Sequence, residues 1–193
     1  MSKLRASDIL EKKLEEREEI KLNLGTQEFE GFTKASFPVL EFPWPIKDET
    51  VSEIVSPMNL NYTPAKYRGQ FMDEIWRVLV PKGTAKVMVP YWTSMRSIQD
   101  YASEWPPFSE SSFFYFNRDW RKLNHPDRNL ICDFDSTFAY QADPETVGKN
   151  DETRSFWIKH YSNTVSDLIV LLTKRGSLKD LGERPEKSFK KKR

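Results

Sequence analysis

One strand–helix–strand pattern in the middle of the chain limits the fold more than any other feature. Residues 51–56 (VSEIVS) alternate apolar and polar side chains and end at Pro57, which is typical of a short strand. Residues 64–79 carry apolar side chains at helical spacing, and residues 84–90 form a second β-rich run. Two strands joined through a helix form a right-handed parallel crossover. The sequence therefore predicts an α/β fold with a mostly parallel sheet flanked by helices.

Further elements extend this pattern on both sides. Residues 20–24 (IKLNL) predict a short core strand. Residues 129–140 and 166–174 predict two strands that pair antiparallel, with a helical stretch near residues 152–160 between them. The region 105–120 is rich in aromatic side chains and predicts a lid or an insertion, whose rings pack in a core or stack on a ligand.

The two ends of the chain differ in composition from its centre. With 193 residues and a formal charge of +1, the chain fits one domain and has no overall charge excess for nucleic acid or a membrane surface. We divide it into a charged N-terminal helix at residues 1–19, a core domain at residues 20–175 and a basic disordered tail at residues 176–193. The helix is either solvated or docks on a partner. Its apolar side chains form one thin stripe: Ile9, Leu10, Leu14 and Ile20.

Cysteine and histidine are scarce, which limits the chemistry of the chain. Cys132 is the only cysteine, so no internal disulfide forms, and the two histidines give no expected metal site. The longest apolar run, at residues 168–172, is about a quarter of a membrane span. We therefore expect a soluble cytoplasmic protein without a metal and without a membrane partner.

Several blocks of the sequence resemble the class I S-adenosylmethionine-dependent methyltransferases, most of all the small type-11-like forms common in bacteriophage genomes. Residues 42–54 (FPWPIKDETVSEI) are similar to the segment that leads into the family's fourth strand. Residues 71–83 (FMDEIWRVLVPKG) are similar to the family's helix that ends in E-x-x-R-V-L-k-P-G-G. The similarity covers residues 20–175. It implies a Rossmann-like sheet of seven strands with an antiparallel last strand, and the host cytoplasm if the protein is phage-encoded.

The resemblance is weakest where the family holds its cofactor. The family's first strand continues into a G-x-G turn, whereas Gly25 is followed here by Thr-Gln-Glu. The acid that holds the ribose hydroxyls is missing after the second strand, and Glu41 is the nearest candidate. The histidines that phage-type forms carry near the substrate are also absent. The resemblance places S-adenosylmethionine beside Asn23, Gly25, Glu41, Asn59 and Asn61, and the substrate beside Tyr62, Tyr91, Asp100 and Trp105.

Three functions remain open from the sequence. The first is an S-adenosylmethionine-dependent methyltransferase-like protein with weakened or lost cofactor binding and an unknown methyl acceptor. The second is a pseudoenzyme, a non-catalytic scaffold or interaction protein that uses the methyltransferase fold to bind a protein partner, or an oligomer formed through the aromatic surface. The third is a nucleic-acid-binding module that uses the basic tail, with salt-dependent binding that deletion of residues 187–193 abolishes.

Overall fold

The chain folds around one mixed sheet. The computed structural model describes residues 19–181. Its six strands lie in the order β2-β1-β3-β4-β6-β5, and β6 runs antiparallel to both of its neighbours. The α/β class and the antiparallel pairing of the last strands are therefore confirmed. The strands are β1 (Ile20–Asn23), β2 (Thr33–Lys34), β3 (Val51–Pro57), β4 (Leu79–Pro90), β5 (Phe134–Ala142) and β6 (Val165–Lys174).

The helices are mostly short, and one of them dominates the packing. Residues Leu60–Tyr62 and Leu178–Leu181 form single 3₁₀ turns. The α-helices are α1 (Ala65–Val78), α2 (Arg96–Gln99), α3 (Glu110–Phe114), α4 (Arg118–Asn124), α5 (Pro144–Val147) and α6 (Asp151–His160). The helix α1 begins after Pro64, whose fixed φ suits a helix start, and ends where β4 begins. It is the parallel crossover that the sequence predicts.

One face of the sheet carries the hydrophobic core. On α1, Phe71, Ile75 and Trp76 are fully buried, and the indole nitrogen of Trp76 donates a hydrogen bond of 3.1 Å to the Arg175 carbonyl after β6. The ring of Phe113 on α3 packs edge-on against Phe138 of β5, with 6.4 Å between centroids. These contacts place α1 and α3 on the same side of the sheet.

The expectation of seven strands is wrong for the described residues, which form six. Residues 35–50 connect β2 to β3 without a further strand or helix. The segment is held by α1 instead: the buried Trp44 ring meets Phe71 at 5.5 Å, and the buried guanidinium of Arg77 donates to the carbonyls of Trp44 and Ile46. Side-chain contacts with α1 thus replace the ladder that a seventh strand would provide.

Two predicted boundaries are corrected by the structure. The strand expected from residue 129 begins at Phe134, because the amides of Ile131 and Cys132 donate to the Asp73 carboxylate on α1 rather than to a neighbouring strand. The turn expected at residues 81–83 lies within β4, at an irregularity in its pairing with β3, where Lys82 has a positive φ of 66°.

Both predicted terminal segments fall largely outside the described residues. This holds for residues 1–18 and for 182–193, so the helix and the nucleic-acid-binding tail stay predictions. The first part of the predicted tail is described: the Leu178 amide and the Ser177 hydroxyl both donate to the Glu49 carboxylate at 2.9 Å. Within residues 19–181, no helix is long and apolar enough to cross a bilayer.

Candidate functional site

The residues predicted to form a site follow strands that end at one edge of the sheet. In an open parallel sheet, ligands bind beyond the carboxyl ends of the strands. Here β1, β3, β4 and β5 all run in the same direction, so the segments that follow them meet at this carboxyl edge. The structure brings to it most of the predicted residues: Asn23, Gly25, Asn59, Asn61, Tyr62 and Tyr91.

The turn after β1 is closed by the side chain of Asn23. Its Oδ1 accepts a hydrogen bond of 2.8 Å from the Gly25 amide, and its Nδ2 donates one of 2.6 Å to the Gln27 carbonyl. Asn59, after β3, donates from Nδ2 to the Leu24 carbonyl at 3.0 Å and accepts from the Ser56 hydroxyl. The polar groups of both loops therefore satisfy one another.

Gly25 is a glycine because Pro57 lies against it. A Cβ built on Gly25 would lie 2.2 Å from Cγ and 2.8 Å from Cδ of the Pro57 ring, well inside any contact that folded proteins tolerate. Close approach of another group to the backbone is a common reason for glycine at a strand end. Here the group that makes the close approach is the chain's own proline.

A second cluster lies at the 3₁₀ turn that follows β3, which contains Asn61 and Tyr62. The Tyr62 hydroxyl donates a hydrogen bond of 2.6 Å to the Asp100 carboxylate. This bond raises the pKa of Tyr62 and lowers the pKa of Asp100. Arg68 on α1 fixes the neighbouring loop, since its guanidinium donates to the carbonyls of Glu104 and Pro106 at 2.7 Å. Trp105, between those two carbonyls, is 74% exposed.

Asn61 is the one member of this cluster with an unused polar atom. The residue is 5% exposed, and its Nδ2 lies 3.4 Å from the Ser103 hydroxyl. Among the described residues, its Oδ1 is a buried oxygen without a hydrogen-bond partner. A buried acceptor of this kind destabilises the chain by about 1–3 kcal/mol unless a ligand or a water donates to it.

A third cluster surrounds the carboxylate of Glu110 at the ends of β4 and β5. Glu110 begins α3 and accepts hydrogen bonds from the hydroxyls of Tyr91, at 3.2 Å, and Tyr140. The two phenol rings meet edge to face with 5.8 Å between centroids. They border a cavity of about 410 Å³, within the range of small-ligand sites, whose lining is completed by Trp92, Ser155, Ile158 and Lys159.

The electrostatics of this cavity keep both phenols protonated. Burial, together with the negative charge of Glu110, raises the pKa of Tyr91. The same two causes, with a hydrogen bond to Glu110, raise the pKa of Tyr140. Because both hydroxyls remain donors, the carboxylate is held in one orientation and its free lone pairs can accept a proton or bind a cation.

A larger cavity of about 480 Å³ lies next to α5 and α6, and its polar groups serve the local fold. The Asp143 carboxylate accepts from the Glu145 amide at the start of α5, and the Thr164 hydroxyl donates to the Tyr161 carbonyl. We therefore place the candidate site at the three clusters of the carboxyl edge.

Glu41, the residue expected to hold a ribose, lies apart from these clusters. Glu41 is exposed in a turn, and its own backbone amide donates to the Pro38 carbonyl. Three residues later the chain is anchored by Trp44 at the C-terminal half of α1, where the Trp44 amide donates to Glu74 at 2.7 Å. That half of α1 leads away from the carboxyl edge.

Two functional candidates were not predicted from the sequence. Glu110 and Tyr140 meet only because α3 crosses the end of β5, and they lie 30 residues apart. The sequence gives weak evidence for Tyr140, because it continues the pattern of alternating side chains in β5 toward the carboxyl edge. The sequence gives no evidence for Glu110 beyond its position at the start of a short helix.

Comparison with solved structures identifies the fold. The chain is similar to a SAM-dependent methyltransferase from Archaeoglobus fulgidus, with a TM-score of 0.52, 12% identity and coverage of 88% of this chain and 82% of that one. It is also similar to 1,6-didemethyltoxoflavin-N1-methyltransferase of Burkholderia thailandensis, solved with S-adenosylhomocysteine, at a TM-score of 0.46 and 14% identity over 89% and 77% of the two chains. No protein-family model and no curated protein matches the sequence. At 12% identity, the likeness to the Archaeoglobus fulgidus structure establishes a methyltransferase-like fold and nothing finer.

Proposed function

We propose that this protein keeps the methyltransferase fold but does not bind S-adenosylmethionine at cellular concentrations, and that it acts as a non-catalytic binding protein. The contact between Gly25 and Pro57 carries this proposal. In the fold family, glycines after the first strand leave room for the cofactor to approach the backbone. Here the proline ring lies 2.2 Å from the position of a Gly25 Cβ, so that room is already filled.

The other residues near Gly25 do not fit the cofactor either. The amides of Asn23 and Asn59 bond to Gln27 and to Leu24, which leaves few free donors facing outward. Residues 24–32 contain no helix, so the described chain offers no helix N-terminus after β1. Glu41 lies on a turn that leads to the C-terminal half of α1, away from the carboxyl edge. A cofactor would have to displace contacts that hold β1 to β3.

The test is calorimetric titration of the full chain with S-adenosylmethionine and S-adenosylhomocysteine, with thermal unfolding as a second measurement. We expect no heat of binding and no shift in Tm at 1 mM ligand. A ligand at one hundred times its Kd would stabilise the protein by about 2.7 kcal/mol, so a micromolar site could not escape detection. Micromolar binding by the wild type overturns the proposal.

Two variants then locate any binding that does occur. Asn59→Ala loosens the contact between the loops after β1 and β3, and Glu110→Gln changes the cavity beside Tyr91. Binding that Asn59→Ala weakens and Glu110→Gln preserves belongs to the usual cofactor position. The reverse result belongs to the Glu110 cavity.

A second candidate is a working methyltransferase of unusual build, which the Glu110 cavity favours. A carboxylate at the end of β4 and β5, oriented by two phenols, is suitable as a base for an acceptor that loses a proton on methylation. The assay is transfer of a labelled methyl group to small amines, phenols and protein extracts. This candidate predicts transfer that Glu110→Gln lowers by about 100-fold or more, since positioned bases contribute about 10²–10⁴-fold.

A further inference from the structure

The hydrogen bonds among Glu110, Tyr91 and Tyr140 leave only acceptors for a ligand in the cavity that they border. Both phenol hydroxyls donate to the Glu110 carboxylate, so neither has a proton left for a ligand. Oε1 accepts from Tyr140 and, at 3.2 Å, from Tyr91, whereas Oε2 accepts one longer bond of 3.4 Å in the described part of the chain. A ligand group bound to Oε2 must therefore be a donor, and a charged N–H donor makes the strongest bond to a carboxylate.

Aromatic rings border this carboxylate from more than one direction. The Tyr91 ring meets the Tyr140 ring at an angle of 77° and the Trp92 ring at 61°, with centroids 5.8 and 6.2 Å apart. Ile158 adds an apolar side chain to the lining. These groups reduce the water around Glu110, which strengthens an ion pair formed there, and aromatic faces attract organic cations.

The helix α6 adds a positive charge to the same cavity. Ser155, Ile158 and Lys159 are spaced so that they share one face of α6, and all three line the cavity. Lys159 is exposed, and the ion pairs formed within residues 19–181 all use other cations. The lining therefore holds one carboxylate and one ammonium group that are not paired with each other.

A bare metal ion does not match this lining. Ca²⁺, for example, takes about 6–8 oxygen ligands, several of them from carboxylates. Here a single carboxylate is bonded to two protonated phenols, and Lys159 would repel a cation that carries no negative group of its own. Among residues 19–181, no group of three or more His, Cys, Asp or Glu could hold a metal ion. The charges of the lining instead match a ligand that carries both signs.

We propose that this cavity binds a small zwitterion, whose ammonium group donates to the Glu110 carboxylate and whose acidic group pairs with Lys159. The carbon atoms between the two charges lie against Trp92 and Ile158. A cavity of about 410 Å³ is near the lower limit for small-ligand sites, which suits a compact molecule. The inference rests on the proposed binding function, but its test contains no S-adenosylmethionine. Failure of either proposal is therefore visible without the other.

The test is calorimetric titration of the full chain with amino acids that carry their charges at their two ends. Glycine, 4-aminobutanoate and 6-aminohexanoate vary the distance between the two charges. We expect saturable binding of at least one of them, with a Kd of about 1 mM or lower. If none of the three binds at about 20 mM, which is well above a millimolar Kd, the proposal is overturned.

Two ligands with a single charge show which group of the zwitterion is bound. For the tightest amino acid, the amine and the carboxylic acid of the same chain length are titrated in the same way. The amine should bind about two- to fivefold more weakly, because the exposed Lys159 contributes a screened ion pair. The carboxylic acid should bind at least about tenfold more weakly, because it loses the bond to Glu110. An amine or a carboxylic acid that binds as tightly as the amino acid overturns the proposal.

Substitutions locate the binding at this cavity. Glu110→Gln should weaken binding of the tightest amino acid at least about tenfold because the charged acceptor is lost, whereas Tyr140→Phe keeps the ring and should weaken it about threefold. Lys159→Gln should reduce the affinity for the amino acid to that for the amine and should not weaken binding of the amine. Glu152→Gln, on α6 but outside the lining, is the control and should change neither affinity. Thermal unfolding verifies that each variant is folded, and an unchanged affinity for the amino acid in Glu110→Gln or in Lys159→Gln overturns the proposal.

Discussion

Two connections in this chain each join a pair of parallel neighbouring strands, but different interactions hold them in place. From β3 to β4 the chain crosses in a 14-residue helix, α1, whose backbone bonds are internal. From β1 to β3 it crosses in residues 24–50, which form two strand residues and otherwise irregular structure. This second connection is held by side chains: the Trp44 ring on Phe71, the Arg77 guanidinium on two carbonyls, and Asn23 and Asn59 across the first turn. Irregular backbone between β1 and β3 is thus compatible with a well-packed core.

The largest effect is expected where the irregular connection meets α1. Arg77 is 7% exposed and bonds to the carboxylates of Glu74 and Asp48, each at 2.6 Å, besides the two carbonyls. Arg77→Met leaves the largely buried Glu74 carboxylate and the buried Trp44 carbonyl without this donor. We expect a loss of about 3–5 kcal/mol in the free energy of unfolding, measured by urea denaturation.

Arg154→Met is the matched control for this substitution. Arg154 on α6 bonds to Asp151, and the two side chains are 40% and 92% exposed. Solvent-exposed ion pairs contribute about 0–1 kcal/mol, so the control should lose no more than that. Equal losses in the two variants would mean that the irregular connection does not depend on Arg77.

Gly25→Ala tests whether the turn after β1 requires glycine because of its contact with Pro57. The new methyl group overlaps the Pro57 ring, so we expect a loss of about 1–3 kcal/mol in the ligand-free protein. Pro57→Ala in the same chain should recover most of that loss, because Cγ and Cδ are removed. Urea denaturation of the two single variants and the double variant gives the coupling between the residues.

Gly148→Ala serves as the control for added bulk. A Cβ at Gly148 meets nothing within 4 Å, and its φ of −74° suits any residue. The variant should be as stable as the wild type or slightly more so. If Gly25→Ala were equally harmless, the glycine would not be explained by its contact with Pro57.

The sequence predicted the regular connection between β3 and β4 but not the irregular connection between β1 and β3. The strands β3 and β4 and the helix α1 were predictable because apolar spacing along one segment reports its own buried face. Residues 24–50 were not, since their structure depends on Arg77, Phe71 and Asn59, which lie in distant parts of the sequence. The predicted site residues after β1, β3 and β4 reach one edge because parallel strands end together. The pairing of Glu110 with Tyr140 depends on how α3 crosses β5, which no local pattern encodes.

Glu49 makes the end of the irregular connection sensitive to acid. Burial alone would raise its pKa, but hydrogen bonds from the Leu178 amide, the Lys174 ammonium and the Ser177 hydroxyl outweigh burial and hold the pKa below the ordinary 4.5. The folded state therefore gains stability that is complete above pH 4.5 and is lost as the pH falls through the lowered pKa.

Glu49→Gln should reduce the urea midpoint at pH 7 by an amount equivalent to about 1–3 kcal/mol, because the buried Lys174 ammonium loses its charged partner. The gap between wild type and variant should close as the pH falls from 4.5 toward 3. Glu28→Gln, at an exposed position of the same connection, should leave the midpoint unchanged at pH 7. A gap that persists at pH 3 would contradict this account of Glu49.

The smallest effect is expected at Asn61, and the neighbouring Asn59 makes it informative. Asn59 uses both ends of its amide, so Asn59→Ala should cost about 1 kcal/mol in the ligand-free protein. Asn61 makes one long bond to Ser103 and leaves Oδ1 without a partner. Asn61→Ala removes the cost of the unpartnered Oδ1 together with that bond and the packing of a buried amide, so the changes offset each other and the stability should change by less than about 0.5 kcal/mol.

Urea denaturation of the two variants ranks them directly. A loss at Asn61 as large as that at Asn59 would mean that Oδ1 has a donor in the ligand-free protein, which a bound water must supply. The turn after β1 satisfies its own polar groups, whereas the loop after β3 would then hold a polar group that binds water and that a ligand donor could take over.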